Sequence, residues 1–542
     1  MKRTPALSFR TIRSLVFPSV ALALVLTLGV AAFAQSAHGG PNTAEPVSAS
    51  RSTSARNLDT NTTFHAAASY GSGGNDPNSV VVADVNGDGI PDLIVANGCD
   101  VSTNCNYGSV AVLLGNGDGT FQPAVTYSSG GDDATSVTVA DINQDGKPDL
   151  VVSNLCVNYL DCYDSGENGG VAILLGNGDG TFQPAVSYSS TGLYTLGLAA
   201  ADLNGDGKPD LALANNWIAD GNSNGSVSIL LSNESGGFEP GVTYATQAGN
   251  TYAVVIADVN GDGKPDLLAA NAFSNSVAVL LGNGDGTFQA AVNYGAGGTA
   301  VSLAVADVNG DGKLDIIVAD LGGTISPGAV GVLLGNGDGT FQPAVTYGSD
   351  GYTAYSVAVA DVNRDGKLDL IVANVCGFTG CNDENSGVVA VLLGNGDGTF
   401  QSAVPYNSGG DGAYSVGVAD FNGDGLPDLA VTNYCTSTGD CSIGVVGVLL
   451  GAYSQTITFT INAPPRALVG RSFTVAATGG GSGNPVIFTS AGSCSNAGPT
   501  YTMTSGKGTC EVIANQAGNT QYAPAPQVTE SVAATQASPV PR

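Results

Sequence analysis

Short apolar runs rich in Val, Ile, Leu and Ala recur along the chain, each closed by a cluster of Gly, Asn and Asp. In the first copy, Ser79 to Ala83 reads Ser-Val-Val-Val-Ala and Leu93 to Ala96 reads Leu-Ile-Val-Ala. Runs this short and this β-branched predict strands, and the Asn-Gly-Asp-Gly between them predicts a tight turn. Two further apolar segments complete each unit. Gly170 to Leu175 and Thr181 to Tyr188 flank the turn Gly-Asn-Gly-Asp-Gly at 176–180. The pattern therefore predicts four strands per unit, A to D, with one turn between A and B and another between C and D. Four-stranded units repeated radially make a β-propeller.

The A–B turn is the most regular element. Seven copies of Asp-x-Asn-x-Asp-Gly-x-x-Asp begin at Asp84, Asp141, Asp202, Asp258, Asp307, Asp361 and Asp420, spaced 49 to 61 residues apart. A period of that length marks an array of supersecondary units. Alternate positions carry oxygen ligands, a Gly stands at position 6, and position 7 offers a backbone carbonyl, which is the grammar of a hard-cation loop.

The predicted ligand sets run as follows. The first is Asp84, Asn86, Asp88, Ile90 and Asp92. The second and third are Asp141, Asn143, Asp145, Lys147 and Asp149, then Asp202, Asn204, Asp206, Lys208 and Asp210. The fourth and fifth are Asp258, Asn260, Asp262, Lys264 and Asp266, then Asp307, Asn309, Asp311, Lys313 and Asp315. The last two are Asp361, Asn363, Asp365, Lys367 and Asp369, then Asp420, Asn422, Asp424, Leu426 and Asp428. An EF-hand would carry a Glu at position 12 between helices. Here position 12 is Val95 and strands flank the loop, so the ninth-position Asp takes over closure. The plainer alternative is a polar hairpin turn that binds nothing.

The array also predicts its own closure. The seventh unit ends at Leu449-Leu450-Gly451 without a D strand. An orphan D-like segment, Thr63 to Tyr70, lies upstream of the first loop, and its Phe64 and Tyr70 match Phe121 and Tyr127. This segment is expected to complete the last unit and so remove the exposed edges. The repeated Phe and Tyr of strand D read as packing between units.

The strings Val-Ala-Asp-Val-Asn-Gly-Asp-Gly-x-x-Asp-Leu and Leu-Leu-Gly-Asn-Gly-Asp-Gly-Thr-Phe resemble the FG-GAP/VCBS repeat family, whose best-known relatives are the integrin α-subunit propellers. The resemblance implies up to seven Ca²⁺ ions in the A–B hairpins. It also implies an all-β fold, a seven-bladed β-propeller of four-stranded blades over residues 62–452. The turns at Asp118, Asp179, Asp285, Asp338 and Asp397 resemble RTX nonapeptides, but they are not in tandem and read as tight C–D turns. Unit three breaks this turn with Ser232-Asn233-Glu234-Ser235. Residues 453–535 resemble the small Ig-like β-sandwich modules of bacterial surface proteins, and 536–542 read as a tail.

At the other end, Lys2, Arg3, Arg10 and Arg13 precede an apolar run from Leu15 to Ala34 that ends in Ala-Phe-Ala. That is the form of a secretory signal peptide over residues 1–34, with an uncleaved anchor as the alternative. Residues 35–61 read as a flexible linker. Ten cysteines fall into close pairs, Cys99/Cys105, Cys156/Cys162, Cys376/Cys381, Cys435/Cys441 and Cys494/Cys510. Secretion with even, local pairing predicts disulfides; zinc is the alternative, although no histidine accompanies a pair.

The formal net charge is −30, and the loops' three carboxylates apiece supply 21 of the 46 acidic residues. The only basic residues between 62 and 452, His65 aside, are Lys147, Lys208, Lys264, Lys313, Arg364 and Lys367, all inside the loops. With no phosphate-neutralising surface, nucleic acid is excluded as a partner.

The B–C segments vary in length and carry aromatics, of which Trp217, Tyr159, Tyr163, Phe378 and Tyr434 are the candidate ligand contacts. The expected function is a secreted or cell-surface recognition and adhesion module for an extracellular protein or neutral glycan. The alternative is a carbohydrate-active enzyme, since a glycosidase needs two facing carboxylates. No catalytic residue stands out, and no Ser-His-Asp or Cys-His set is available with His38 and His65 as the only histidines.

Overall fold

The structure, a computed structural model, describes residues 62–100, 107–157, 168–217, 224–233, 236–322, 327–377 and 387–536. These are all β, and no helix occurs among them. The signal segment, the linker and residues 537–542 lie outside the described residues, as do Tyr159, Tyr163 and Phe378. The described chain divides into two compact units, Phe64–Gly451 and the residues from Ala452 onward.

In the first unit, every A–B loop joins two antiparallel strands, as the sequence predicts. Asn75–Ala83 pairs with Asp92–Cys99, with Val80 opposite Val95 and Val82 opposite Leu93. Ser109–Leu113 and Val125–Ser128 complete that sheet. Strand Asp92–Cys99 is buried at every position. A strand covered on both faces reads as a continuous apolar run, which is why alternation is weak here. The outermost strand, Val125–Ser128, is largely exposed and supplies the polar border.

Two departures from the predicted strands have local causes. Strand D does not begin at its Thr-Phe. Phe182 instead makes an isolated bridge to Gly176, closing the C–D turn, and pairing resumes at Val186. D and the next A are also fused twice, in Val186–Ala201 and Val345–Ala360. Val186–Ala201 pairs with Asn168–Leu174 at one end and with Asp210–Trp217 at the other. Thr191 and Tyr194, at φ 64° and 55°, bend it between the two sheets. Every A strand carries a bulge of this kind, for example between Pro77 and Ser79 or between Ala413 and Ser415. Bulges of this kind add twist and re-aim side chains.

The last sheet of the unit holds Gly410–Ala419, Asp428–Thr436 and Val445–Leu449. Its fourth strand is Ala68–Gly71, with Tyr70 opposite Val446, so the upstream segment does complete the final repeat. That sheet meets the first one. Val80 N–H donates to Ser415 Oγ at 3.1 Å, and Phe121 lies edge-on to Phe421 at 5.3 Å. The Phe and Tyr of strand D join neighbouring sheets throughout. Tyr127 meets Phe182, Tyr188 meets Phe238, and Tyr70 meets Phe121, all edge-to-face. Each such pair contributes about 0.5–1.5 kcal/mol beyond its buried area.

The second unit is a small β structure. Arg466–Leu468, Ala525–Thr535, Thr509–Gln516 and Val486–Gly492 form one sheet, and Ser472–Thr474, Thr500–Met503 and Cys494–Ala497 another. Val475, Tyr501, Met503, Val512 and Val532 make its core. Cys494 and Cys510 are disulfide-bonded across 16 residues. A core this small depends on its staple. Replacing both cysteines by Ser should remove about 3 kcal/mol. In calorimetry the unit should then melt as a separate early transition, with the transition of Phe64–Gly451 unmoved.

Candidate metal centres

Each A–B loop is built on its own backbone. In the first, Asp84 accepts the amides of Gly87 and Gly89 at 2.7 and 2.8 Å. Asn86 Oδ1 accepts Asp88 N–H at 2.9 Å, and Asp88 Oδ1 accepts Ile90 N–H at 2.8 Å. The third, fourth and fifth loops repeat the whole set, as at Asp258, Asn260 and Asp262, and the second, sixth and seventh repeat the bonds from the amides of positions 5, 6 and 7. Gly89 at φ 81° turns the chain where a Cβ would strain it. Positions 1, 3 and 5 remain on the exposed side of the loop.

The ninth-position Asp is different. Asp92 is fully buried, and each of its oxygens accepts an amide. One oxygen takes Val85 N–H at 3.0 Å, from loop position 2, and the other takes Gly115 N–H at 2.8 Å, from the start of the C–D turn. All seven loops do this. Asp369 holds Val362 and Gly394, and Asp428 holds Phe421 and Gly451. Burial raises these carboxyls, the other loop carboxylates add to it, and the two amides work against it. Asp315 is pushed to about 6, and Asp369 and Asp428 to about 7. The turn aspartates move the other way, since the Thr120 hydroxyl and amide hold Asp118 below the usual range.

Position 7 carries a second tie. The Lys147 stem lies over Gly178 of its own C–D turn, so that a Cβ there would stand 3.2 Å from Lys147 Cδ. Its Nζ sits 4.0 Å from Asp145, and those of Lys264 and Lys313 sit 3.8 and 3.6 Å from Asp262 and Asp311. The lysines are thus not merely free counter-charges, because their methylenes cover the neighbouring turn.

The donors each loop offers are all oxygen, from the carboxylates of positions 1 and 5, an amide and the position-7 carbonyl. That chemistry fits a hard divalent cation. No three His, Cys, Asp or Glu side chains among the described residues converge on one point, since the carboxylates are turned onto backbone amides.

The B–C ends lie at the far end of each B strand from these loops. There Tyr107, Phe273 and Tyr434 are exposed. Trp217 ends strand Asp210–Trp217, and its side chain lies outside the described residues. Cys435–Cys441 is disulfide-bonded, and Cys99, Cys156 and Cys376 are disulfide-bonded as well. Their expected partners Cys105, Cys162 and Cys381 lie outside the described residues. One aromatic group escapes the sequence reading. Tyr355 and Tyr414 pack at 4.9 Å, and Tyr434 joins Tyr414 at 6.1 Å. Tyr252, Tyr355 and Tyr414 each stand six residues before a loop, a register visible in the sequence.

The FG-GAP-like repeat matches residues 99–152, 158–213, 217–269, 258–318, 319–372 and 376–431, together more than half of the chain. The FG-GAP repeat matches 77–113, 134–174 and 353–392. Phosphatidylinositol-glycan-specific phospholipase D of Rattus norvegicus is 29% identical over 155 residues, which cover 25% of this chain and 18% of that protein. The Mus musculus protein of the same name is 28% identical over 156 residues, covering 26% and 18%. The chain thus spans under a fifth of the length of these curated relatives. Among solved structures, the periplasmic gluconolactonase of Pseudomonas aeruginosa aligns at a TM-score of 0.42 and 15% identity, covering 61% of this chain and 85% of that one. By its repeats, this chain belongs to the FG-GAP-like repeat family.

Proposed function

We propose that the chain is a secreted or cell-surface recognition module. Residues 62–452 form a seven-bladed propeller that holds Ca²⁺ in up to seven A–B loops, and an Ig-like module follows. The observation that carries this reading is the sevenfold recurrence of an exposed, all-oxygen loop at the same end of every A–B strand pair. Contact between the first and last sheets, with Ala68–Gly71 as the outermost strand of the last, supports a closed ring. The disulfides support export, because such bonds persist in oxidising compartments.

Bound calcium would draw on Asp84, Asn86, Asp88 and the Ile90 carbonyl in the first loop, and on their counterparts in the others. It would neutralise carboxylates crowded within one turn and stiffen that end of the sheets. The opposite end, with its variable B–C segments and exposed Phe273 and Tyr434, is left to meet a protein or neutral glycan. Loops on a rigid scaffold suit that role, and aromatic side chains are the usual anchors. Glycan and extracellular-protein arrays probed with the full chain, with calcium and with chelator, test this. Specific binding that weakens when Phe273 and Tyr434 are replaced by Ala is expected. Release of hydrolysis products from the bound glycans would replace the recognition reading with an enzymatic one.

A further inference from the structure

Five of the seven A–B loops, the first, third, fourth, fifth and seventh, touch the next sheet through that sheet's C–D turn. Gly286, in the fourth turn, donates its N–H to Leu203 O of the third loop at 3.0 Å. Gly119 donates to Phe421 O of the seventh loop at 3.1 Å. A Cβ on Gly180 would meet Leu114 and Asn86 of the first repeat, and one on Gly398 would meet Leu334 and Asn309 of the fifth. The turn's first amide is in turn held by its own closing Asp, as Gly282 is by Asp266 at 2.7 Å. A continuous path therefore runs from loop to turn to closing Asp to the next loop.

Two sheets lack the Gly-Asn-Gly-Asp-Gly turn. The third has Ser232-Asn233-Glu234-Ser235-Gly236, and the seventh ends at Gly451. Gly236, the counterpart of Gly180, has nothing within 4 Å of an added Cβ. The loops that face these two sheets are the second and the sixth. They alone carry a side chain at position 4, Gln144 and Arg364, where the other five have Gly. Both residues sit at φ 58°, a left-handed conformation that favours Gly. Gln144 Nε2 donates to Gly207 O, position 6 of the third loop, at 2.6 Å. Arg364 reaches the matching place in the seventh loop, where a Cβ on Gly425 would lie 3.2 Å from its Nη1.

We propose that Gln144 and Arg364 are positioning residues. They fasten one cation loop directly to the next at the two seams where no Gly-Asn-Gly-Asp-Gly turn bridges them, so that order in one loop is passed to its neighbour all the way round. This inference rests on the reading of the loops as cation sites. Side chains at a backbone position built for Gly are otherwise unaccounted for, and both reach the same point.

Hydrogen exchange read by mass spectrometry tests it on the full chain. Gln144→Gly and Arg364→Gly restore the residue that the other loops use, so lost order cannot come from new backbone strain. In chelator, Gln144→Gly should speed exchange in residues 202–210 at least threefold, and Arg364→Gly should do so in 420–428. Gln144→Glu, which keeps the length but loses the donor, should behave like Gln144→Gly. In calcium, Asp206→Ala should speed exchange in residues 141–149, and adding Gln144→Gly should abolish that transfer. Exchange in 202–210 within twofold of the parent in chelator would overturn the proposal. Calcium that slows exchange in no loop of the parent would instead overturn the cation reading, since the chelator arm reads the fastening without it.

Discussion

Chelation should lower the melting temperature of the Phe64–Gly451 unit by about 10 °C or more from its value in about 5 mM calcium. Extracellular oxygen-cage sites have dissociation constants of about 10⁻⁴ to 10⁻³ M. At that calcium level mass action stabilises the folded state by about 1–2.3 kcal/mol per filled site. Seven sites give about 7–16 kcal/mol against a melting entropy of about 0.8 kcal/mol per kelvin for a unit this long.

The effect should also depend on pH, with a definite sign. The closing carboxyls Asp315, Asp369 and Asp428 are raised to about 6, 7 and 7 in the fold, above their unfolded value. Between about pH 4 and 7 the folded chain therefore binds more protons than the unfolded chain. What these carboxyls contribute to the metal-free protein should be greatest at and below about pH 4 and should fall as pH rises from there to about 7. Calcium offsets the carboxylate charge, so its gain in melting temperature should be larger at pH 8 than at pH 5. Calorimetry in chelator and in calcium at the two pH values checks both signs. A melting temperature indifferent to calcium at pH 8 would remove the metal assignment.

Replacing Asp266 by Ala should be the most damaging single change in its loop. Its buried carboxylate is the acceptor for Val259 N–H at 3.0 Å and Gly282 N–H at 2.7 Å. Both amides would be left buried without a partner, at about 1–3 kcal/mol each. A loss of about 2–6 kcal/mol is therefore expected, and it should persist in chelator. Asp262→Ala, four residues earlier in the exposed part of the loop, gives the contrast. Without calcium it should cost within about 1 kcal/mol, and with calcium it should remove one site's gain. Urea melts of the two variants, with and without calcium, separate a structural carboxylate from a ligand carboxylate. Equal losses in chelator would contradict the division of labour.

Much of this molecule is legible as text. The apolar runs are short and β-branched, so Ser79–Ala83 and Leu93–Ala96 could only be strands. The upstream Phe64 and Tyr70 match the D-strand aromatics, and the structure puts that segment on the outer edge of the last sheet. Those signals are local, or they repeat, and either property survives in one dimension.

Other features were not legible, because they depend on partners far along the chain. Whether a ninth-position Asp serves only an ion or also holds two amides is decided by Gly115, 23 residues beyond Asp92. The lysines at position 7 look like spare charge until the C–D turn folds beneath their stems. Gln144 looks like a defect in a Gly position until Gly207, 63 residues on, comes within 2.6 Å. The sequence by itself determined the repeat, the strands and the oxygen chemistry of each loop, since each depends on residues a few positions apart. Only the tertiary structure decided which oxygens are spent on backbone amides and how one loop leans on the next, because those contacts exist only after separate sheets have packed.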